Sequence, residues 1–363
     1  MVSITRNGVD RKPRVANNIA RWKKILSHRY QLGEFDLIAD HLAIDYQWHG
    51  TLGADYRFHD PKEKKELQFL SEELCRGFPD IQLKHTMFGE GNMVGNYFVI
   101  TGTHLGEYFG VEPTGHDVQY FGVSIARFNN DGLLVEEREL CDEIELLKQI
   151  EVIDNKEEQN LFTILSGFSS KTPLIGSRFE PLLPSHVEDI LYHHDASFFS
   201  DRDPVVVRNE FNWRRFLNIK YFEQDFSKLG EVMSPKHQWQ APAGLFKDMN
   251  DPEDRAWLTA ALTTATALTY DYRFTSHVFG EGNMLLYNVA CEYSNTADLF
   301  GVAATGRRVR HPNICVCQFD KDGRLFREWE IYDVLAIYKQ LGVLPSNESN
   351  LSLLGVIKNL QDK

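Results

Sequence analysis

Two aspartates at matching places are the most chemically suggestive residues in this sequence. Asp142 and Asp333 each follow a stretch that alternates like a strand and precede one with helical spacing. A carboxylate at such a junction can act as a general base near neutral pH if apolar surroundings raise its pKa. The same residue type also caps helices. Asp142 and Glu145 form a D-x-x-E capping box, whereas Ala336 takes the glutamate's place after Asp333, so the aspartate persists where the box does not. His104, in Gly102-Thr103-His104, can supply a proton or a hydrogen bond to a developing negative charge, or can be a hydrogen-bonded structural group. Its counterpart Asn295 keeps an amide donor but cannot exchange protons at neutral pH, so the second site is expected to be the weaker one for proton transfer.

Strand alternation puts Arg138 and Leu140 on the face of Asp142, and Trp329 and Ile331 on the face of Asp333. On that reading Arg138 holds Asp142 ionised and polarises a substrate oxygen, while Trp329 desolvates Asp333. The alternative for Arg138 is an ion pair with Glu137 or Glu139. In Trp48-His49 and Trp239-Gln240, alternation sends one residue of each pair inward, where a tryptophan either stacks on a flat ring or fills the core. Tyr30 and Tyr221, late in their helices, carry the same two readings.

The elements that must position these residues occur twice. FGEGNM stands at 88–93 and again at 279–284, and the same 191-residue offset maps Gly110-Val111, Thr114-Gly115, Asp131-Gly132, Asp142 and Lys148-Gln149 onto the second half. It also pairs Trp22 with Trp213 and Gln47-Trp48 with Gln238-Trp239. The expected organisation is a first domain at 1–153, a structured connector at 154–206, a second domain at 207–345 and a helical tail at 346–363. Within the first unit, periodicity predicts helices over about 17–31 and 34–43, a short strand at 46–49 and a helix over 61–76. Strands follow over about 81–89, 92–104, 117–128 and 133–141, then a helix from 142 to 150. Helices first and a meander after is the α+β pattern, with helices packed on one face of a curved, mainly antiparallel sheet.

Composition narrows the partners. With 39 Lys plus Arg against 52 Asp plus Glu, the net charge of −13 repels a polyanion, so nucleic acid is not expected. No apolar run approaches a membrane span, and residues 1–16 are polar and basic without the apolar core of a signal peptide, so a cytoplasmic protein without a membrane partner is expected. Five scattered cysteines suit a reducing compartment. Cys315 and Cys317 share a strand face and are read as interior packing, with no metal site and no cofactor expected; Walker, GxSxG and HExxH patterns are absent.

Several motifs together resemble the SnoaL-like polyketide cyclases, or predicted ester cyclases, of the nuclear-transport-factor-2-like superfamily. They are Phe78-Pro79-Asp80, 102–107 (GTHLGE), 110–115 (GVEPTG), Asp131-Gly132, and Asp142 leading into Leu147-Lys148-Gln149. The second unit matches through 305–309, Asp322-Gly323, 328–330 and Asp333 leading into Lys339-Gln340. The resemblance implies two tandem cone domains, each with a cavity between helices and sheet, and cofactor-free abstraction of a proton alpha to a carbonyl for aldol-type ring closure or isomerisation. It places the base on Asp142 and Asp333 and the histidine on His104; a second cavity histidine of the family is unmatched, with Ser124 and Cys315 nearest. The expected ligand is a small apolar carbonyl compound, walled by Trp48, His49, Tyr30, Arg138, Trp239, Trp329 and Asn295. A dehydratase, a hydrolase or a non-catalytic binding protein is the alternative. The two units are expected to pack as an intrachain pseudo-dimer, open to further homo-oligomerisation.

Overall fold

Each unit folds as a six-stranded sheet with helices on its concave face. The computed structural model describes residues 11–51, 54–152, 202–223, 225–258, 273–295 and 304–342. The connector up to residue 201 and the tail at 346–363 lie outside the described residues. In the first unit, helix α1 (Arg11–Tyr30) is followed by a 3-10 turn (Phe35–His41), strands β1 (Leu42–His49) and β2 (Asp55–Arg57), and helix α2 (Pro61–Gly77). Strands β3 (Gln82–Glu90), β4 (Met93–Thr103), β5 (Asp117–Phe128) and β6 (Leu134–Cys141) then lead into helix α3 (Glu143–Gln149). The second unit repeats this with α4 (Pro204–Leu217), β7 (Met233–Ala241), β8 (Leu245–Asp248), β9 (Arg273–Glu281), β10 (Met284–Ser294), β11 (Arg308–Phe319), β12 (Leu325–Tyr332) and α5 (Val334–Leu341).

Strand order is β2-β1-β6-β5-β4-β3 in one sheet and β8-β7-β12-β11-β10-β9 in the other. Only β1 with β6, and β7 with β12, run parallel. The outer strands do not meet, so each cone is an open sheet rather than a closed barrel. The helix expected at 34–43 is a shorter 3-10 turn, and the strand expected at 46–49 begins at Leu42. Strand β2, three residues long, is too short for periodicity to reveal.

Local chemistry explains the elements. The stripe Trp22, Ile25 and Leu26 of α1 is almost wholly buried and packs with Leu67 of α2 on the concave face. Asp60 caps α2 by accepting from the backbone N–H groups of Lys62 and Glu63, with Pro61 in the first turn. Gly91 and its copy Gly282 have φ of +63° and +57°, the left-handed conformation that turns β3 into β4 and β9 into β10.

The convex faces of the two sheets pack against each other. Phe88, Met93, Phe121, Val123, Ile125 and Leu140 of the first unit meet Phe279, Leu286, Ile314, Val316 and Ile331 of the second in one buried cluster. Burying side chains of this kind stabilises by about 1.5–3 kcal/mol each. Gly95 permits the close approach, since a Cβ there would stand 2.8 Å from Leu286 Cδ1. The glutamates of the two FGEGNM copies act reciprocally: Glu281 accepts from the Gly89 N–H at 3.0 Å and Glu90 from the Gly280 N–H at 2.9 Å. Such exchange of equivalent contacts is the signature of an isologous interface, and it gives the repeated motif a role across the unit boundary as well as in the turn.

Candidate functional site

A cavity of about 100 Å³ lies in the first unit between α1, α2, α3 and the concave face of the sheet. An apolar cavity of about 150 Å³ admits a benzene ring, so an occupant here must be compact. Its apolar walls include Trp48, Leu70, Leu74, Leu83, Phe98 and Ile100. Its polar lining consists of Arg29, Tyr30, Thr51, Ser71, Tyr108, Tyr120, Glu139, Cys141 and Glu143.

Asp142 is not in this lining. The aspartate is buried, but its carboxylate is spent elsewhere. Oδ1 accepts from the N–H of Glu145 at 3.2 Å, capping α3, and from the N–H of Ala243 at 2.8 Å; Oδ2 accepts from the N–H of Gly244 at 3.1 Å. Ala243 and Gly244 belong to the β7–β8 turn of the second unit, and Lys148 donates to the Ala243 carbonyl at 3.0 Å. Ala243 sits at φ +67°, a strained position for a residue with a Cβ, and these contacts from the first unit hold it there. Burial raises the Asp142 pKa to about 6 despite its three N–H partners.

Asp333 follows the same plan. It is 2% exposed, caps α5 and accepts from the Ala336 N–H at 2.8 Å. The positions matching Ala243 and Gly244 are 52 and 53, outside the described residues. Placement of the two aspartates beside the cavity is therefore corrected for Asp142. It shares a strand face with Arg138 and Leu140, and that face belongs to the interface between the sheets.

The same parity relocates three other residues. Arg138 donates to Glu136 at 2.8 Å. His49 Nε2 stands 3.4 Å from Glu136 on that convex face. Trp329 packs on Tyr97 of the first unit, ring centroids 4.7 Å apart, against the cluster between the two sheets.

His104 also lies outside the cavity lining. Its Nδ1 accepts from the Thr114 N–H at 3.2 Å and sits 3.1 Å from the Thr114 hydroxyl, while the ring stacks on Phe78. Burial lowers its pKa, favouring the neutral ring. Asn295 does the same work: its Oδ1 accepts from the N–H and the hydroxyl of Thr305 at 2.6 and 2.7 Å. An imidazole Nδ1 and an amide oxygen are interchangeable acceptors for this loop clasp. His104→Asn is accordingly expected to change the unfolding free energy by no more than about 1 kcal/mol in denaturant titrations, as for exchange of one neutral hydrogen bond for another.

Tyr30 and Trp48 do reach the cavity. The Tyr30 hydroxyl donates to Glu139 at 2.8 Å, and Trp48 stacks on Tyr56 with the Arg29 guanidinium 4.9 Å over its ring. Trp239 holds the equivalent place in the second unit, where its Nε1 donates to Glu330 at 3.0 Å.

Residue-type reasoning missed the carboxylates that actually face inward. Glu137, fully buried, accepts from Tyr46 at 2.9 Å and lies 3.4 Å from Arg29; burial outweighs that cation and raises its pKa. Glu139 is held by Tyr30. Glu143, at the start of α3, has its Oε2 buried without a hydrogen-bond partner among the described residues. Burial, reinforced by the negative charge of Asp333, raises its pKa to about 8. Tyr108 and Tyr120 also line the cavity, and burial holds both phenols well above their usual range, so they stay protonated and available as donors. The signal for Glu137 and Glu139 was present in the repeat, because Glu328 and Glu330 occupy the same positions mid-strand. No such signal marks Glu143, Tyr108 and Tyr120, whose counterparts are Val334, Leu299 and His311.

A helix-covered curved sheet with an apolar cavity and a few inward polar groups defines a small-molecule site of the α+β cone class. The chain belongs to the SnoaL-like polyketide cyclase family, whose sequence pattern matches residues 21–150 and 215–341, one stretch in each unit. Among solved structures it is similar to AclR from Streptomyces galilaeus, at 23% identity and a TM-score of 0.34, covering 39% of this chain and 85% of that one. It is also similar to TsrD from Streptomyces laurentii, at 22% identity and a TM-score of 0.33, covering 40% and 100%. A third likeness is to a SnoaL-like polyketide cyclase from Agrobacterium tumefaciens, at 18% identity and a TM-score of 0.31, covering 37% and 98%. No curated protein matches this chain. No helix among the described residues is long and apolar enough to cross a membrane.

Proposed function

We propose that the first unit is a cofactor-free acid/base enzyme that abstracts a proton alpha to the carbonyl of a compact apolar compound, with Glu143 as the base. The observation that supports this most is the Glu143 carboxyl itself, which has an oxygen at a cavity wall without a partner among the described residues and a pKa raised by burial to about 8. In the first step Glu143 takes the α-proton and the substrate becomes an enolate, whose oxygen accepts hydrogen bonds from Tyr108 and Tyr120. The enolate carbon then attacks a second carbonyl of the same molecule, forming the ring bond. The proton held on Glu143 passes to the resulting alkoxide, or returns to carbon when the outcome is isomerisation. Trp48 and the aliphatic side chains exclude water and pack on the ring. Arg29, the one cation among the described lining residues, balances Glu139 in the lining and Glu137 behind it.

The second unit has none of the three working groups, since valine, leucine and histidine stand at the matching positions. Its part in this reading is to complete the first. Its β7–β8 turn is gripped by Asp142, one residue from Glu143, and its Asp333 raises the Glu143 pKa.

The test is deuterium exchange. The full chain in heavy water, offered a panel of small cyclic ketones, is expected to exchange their α-protons faster than buffer alone, followed by proton NMR, with a rate that rises with pH. Absence of exchange together with a small molecule released on denaturation would make this a binding protein instead.

A further inference from the structure

We propose that Cys315, Cys317 and Glu328 form a binding site for one thiophilic divalent cation, of the Zn²⁺ class, in the core of the second unit. Cys315 and Cys317 lie two residues apart on β11, and Glu328 lies directly across from Cys317 on β12. All three are buried. Side chains two apart on a strand start about 6.6 Å from each other. Here the two sulfurs lean together to 3.9 Å, and Cys315 Sγ stands 3.4 Å from Glu328 Oε1. The three ligand atoms lie within 4.8 Å of one another. Two thiolates on a tetrahedral zinc at about 2.3 Å stand about 3.8 Å apart, and a thiolate and a carboxylate oxygen about 3.5 Å apart. The side chains thus already hold the spacing of a shared ligand sphere.

Charge points the same way. Glu328 and Glu330 are both buried, and Glu330 accepts from the neutral donors Trp239 and Asn313. In the first unit the matching Glu137 faces Arg29; here Lys220 takes that place, and its charge acts on Glu328. Ser124, Ala126 and Tyr46 replace Cys315, Cys317 and His237, so the soft ligands are specific to the second unit. His237, also buried, places its Nε2 3.7 Å from Glu328 Oε2. It is a positioning residue for the carboxylate. Binding releases the two thiol protons to solvent and leaves sulfur in its reduced state.

The experiment uses the full chain, reduced, stripped with a chelator and titrated with Co²⁺. Expected are one ion bound per chain, a thiolate-to-cobalt charge-transfer band in the near ultraviolet, and loss of that band when Zn²⁺ is added. The double variant Cys315→Ser, Cys317→Ala, which copies the first unit's residues, should lose the band while keeping its far-ultraviolet circular dichroism. His237→Ala should weaken Co²⁺ binding about tenfold or more. A wild-type chain with no charge-transfer band overturns the proposal, whatever the variants do. So does a band that survives in the double variant.

Discussion

Glu143→Gln is expected to slow α-proton exchange about a thousandfold while leaving the fold intact, within the range found for removal of a positioned general base. Glutamine keeps the shape and cannot accept the proton, and Val334 in the second copy shows that a neutral residue suits this helix start. The wild-type rate should climb through an inflection near pH 8, where Glu143 ionises, and the variant should lack that inflection. Exchange that persists in Glu143→Gln with its pH profile unchanged would remove Glu143 from the chemistry.

The same carboxyl carries a stability signature with a definite sign. Its pKa is near 4.5 in an unfolded chain and about 8 in the folded one. Below pH 4.5 both states hold the proton. Between 4.5 and 8 the folded state holds more proton than the unfolded state, so unfolding free energy falls as pH rises, with a limiting slope of about 1.4 kcal/mol per pH unit. At pH 9 Glu143→Gln should therefore be more stable than wild type by more than about 1 kcal/mol, and at pH 4 the gap should close. Denaturant titrations at the two pH values measure it. A gap of the same size at both would show that the carboxyl does not carry the pH dependence.

Asp142→Ala is expected to destabilise the protein by about 3 kcal/mol at pH 7, combining loss of a helix cap with buried N–H groups left unpaired. Three N–H groups lose their acceptor, two of them in the other unit's turn, where Ala243 is already strained. The loss should appear in the denaturation midpoint and as faster amide exchange at residues 243–244. Any fall in activity should then follow the loosening of the wall beside Glu143. If Asp142→Ala kept full stability but abolished exchange, the catalytic assignment would return to Asp142.

Much of the architecture was legible in advance. Helical stripes such as Trp22, Ile25 and Leu26, turn glycines such as Gly91, and the repeated FGEGNM predicted the element order and the duplication, because these are local signals tied to backbone geometry. Capping, the alternative reading for Asp142, is the geometry observed there, and Asp333 caps its helix as well although its sequence lacks the box. What alternation could not supply was the identity of the two faces. It correctly grouped Arg138, Leu140 and Asp142 together, while Glu137, Glu139 and Cys141 fall on the opposite face.

By itself, then, the sequence determined two copies of one α+β unit, the order of their longer strands and helices, and a carboxylate at each last helix. Only the tertiary structure decided which face of β6 looks into a cavity. Period-two alternation separates a strand's faces but names neither, and in β6 both are buried, one by helices and one by the second sheet. Burial, which usually tells inside from outside, was the same on both sides.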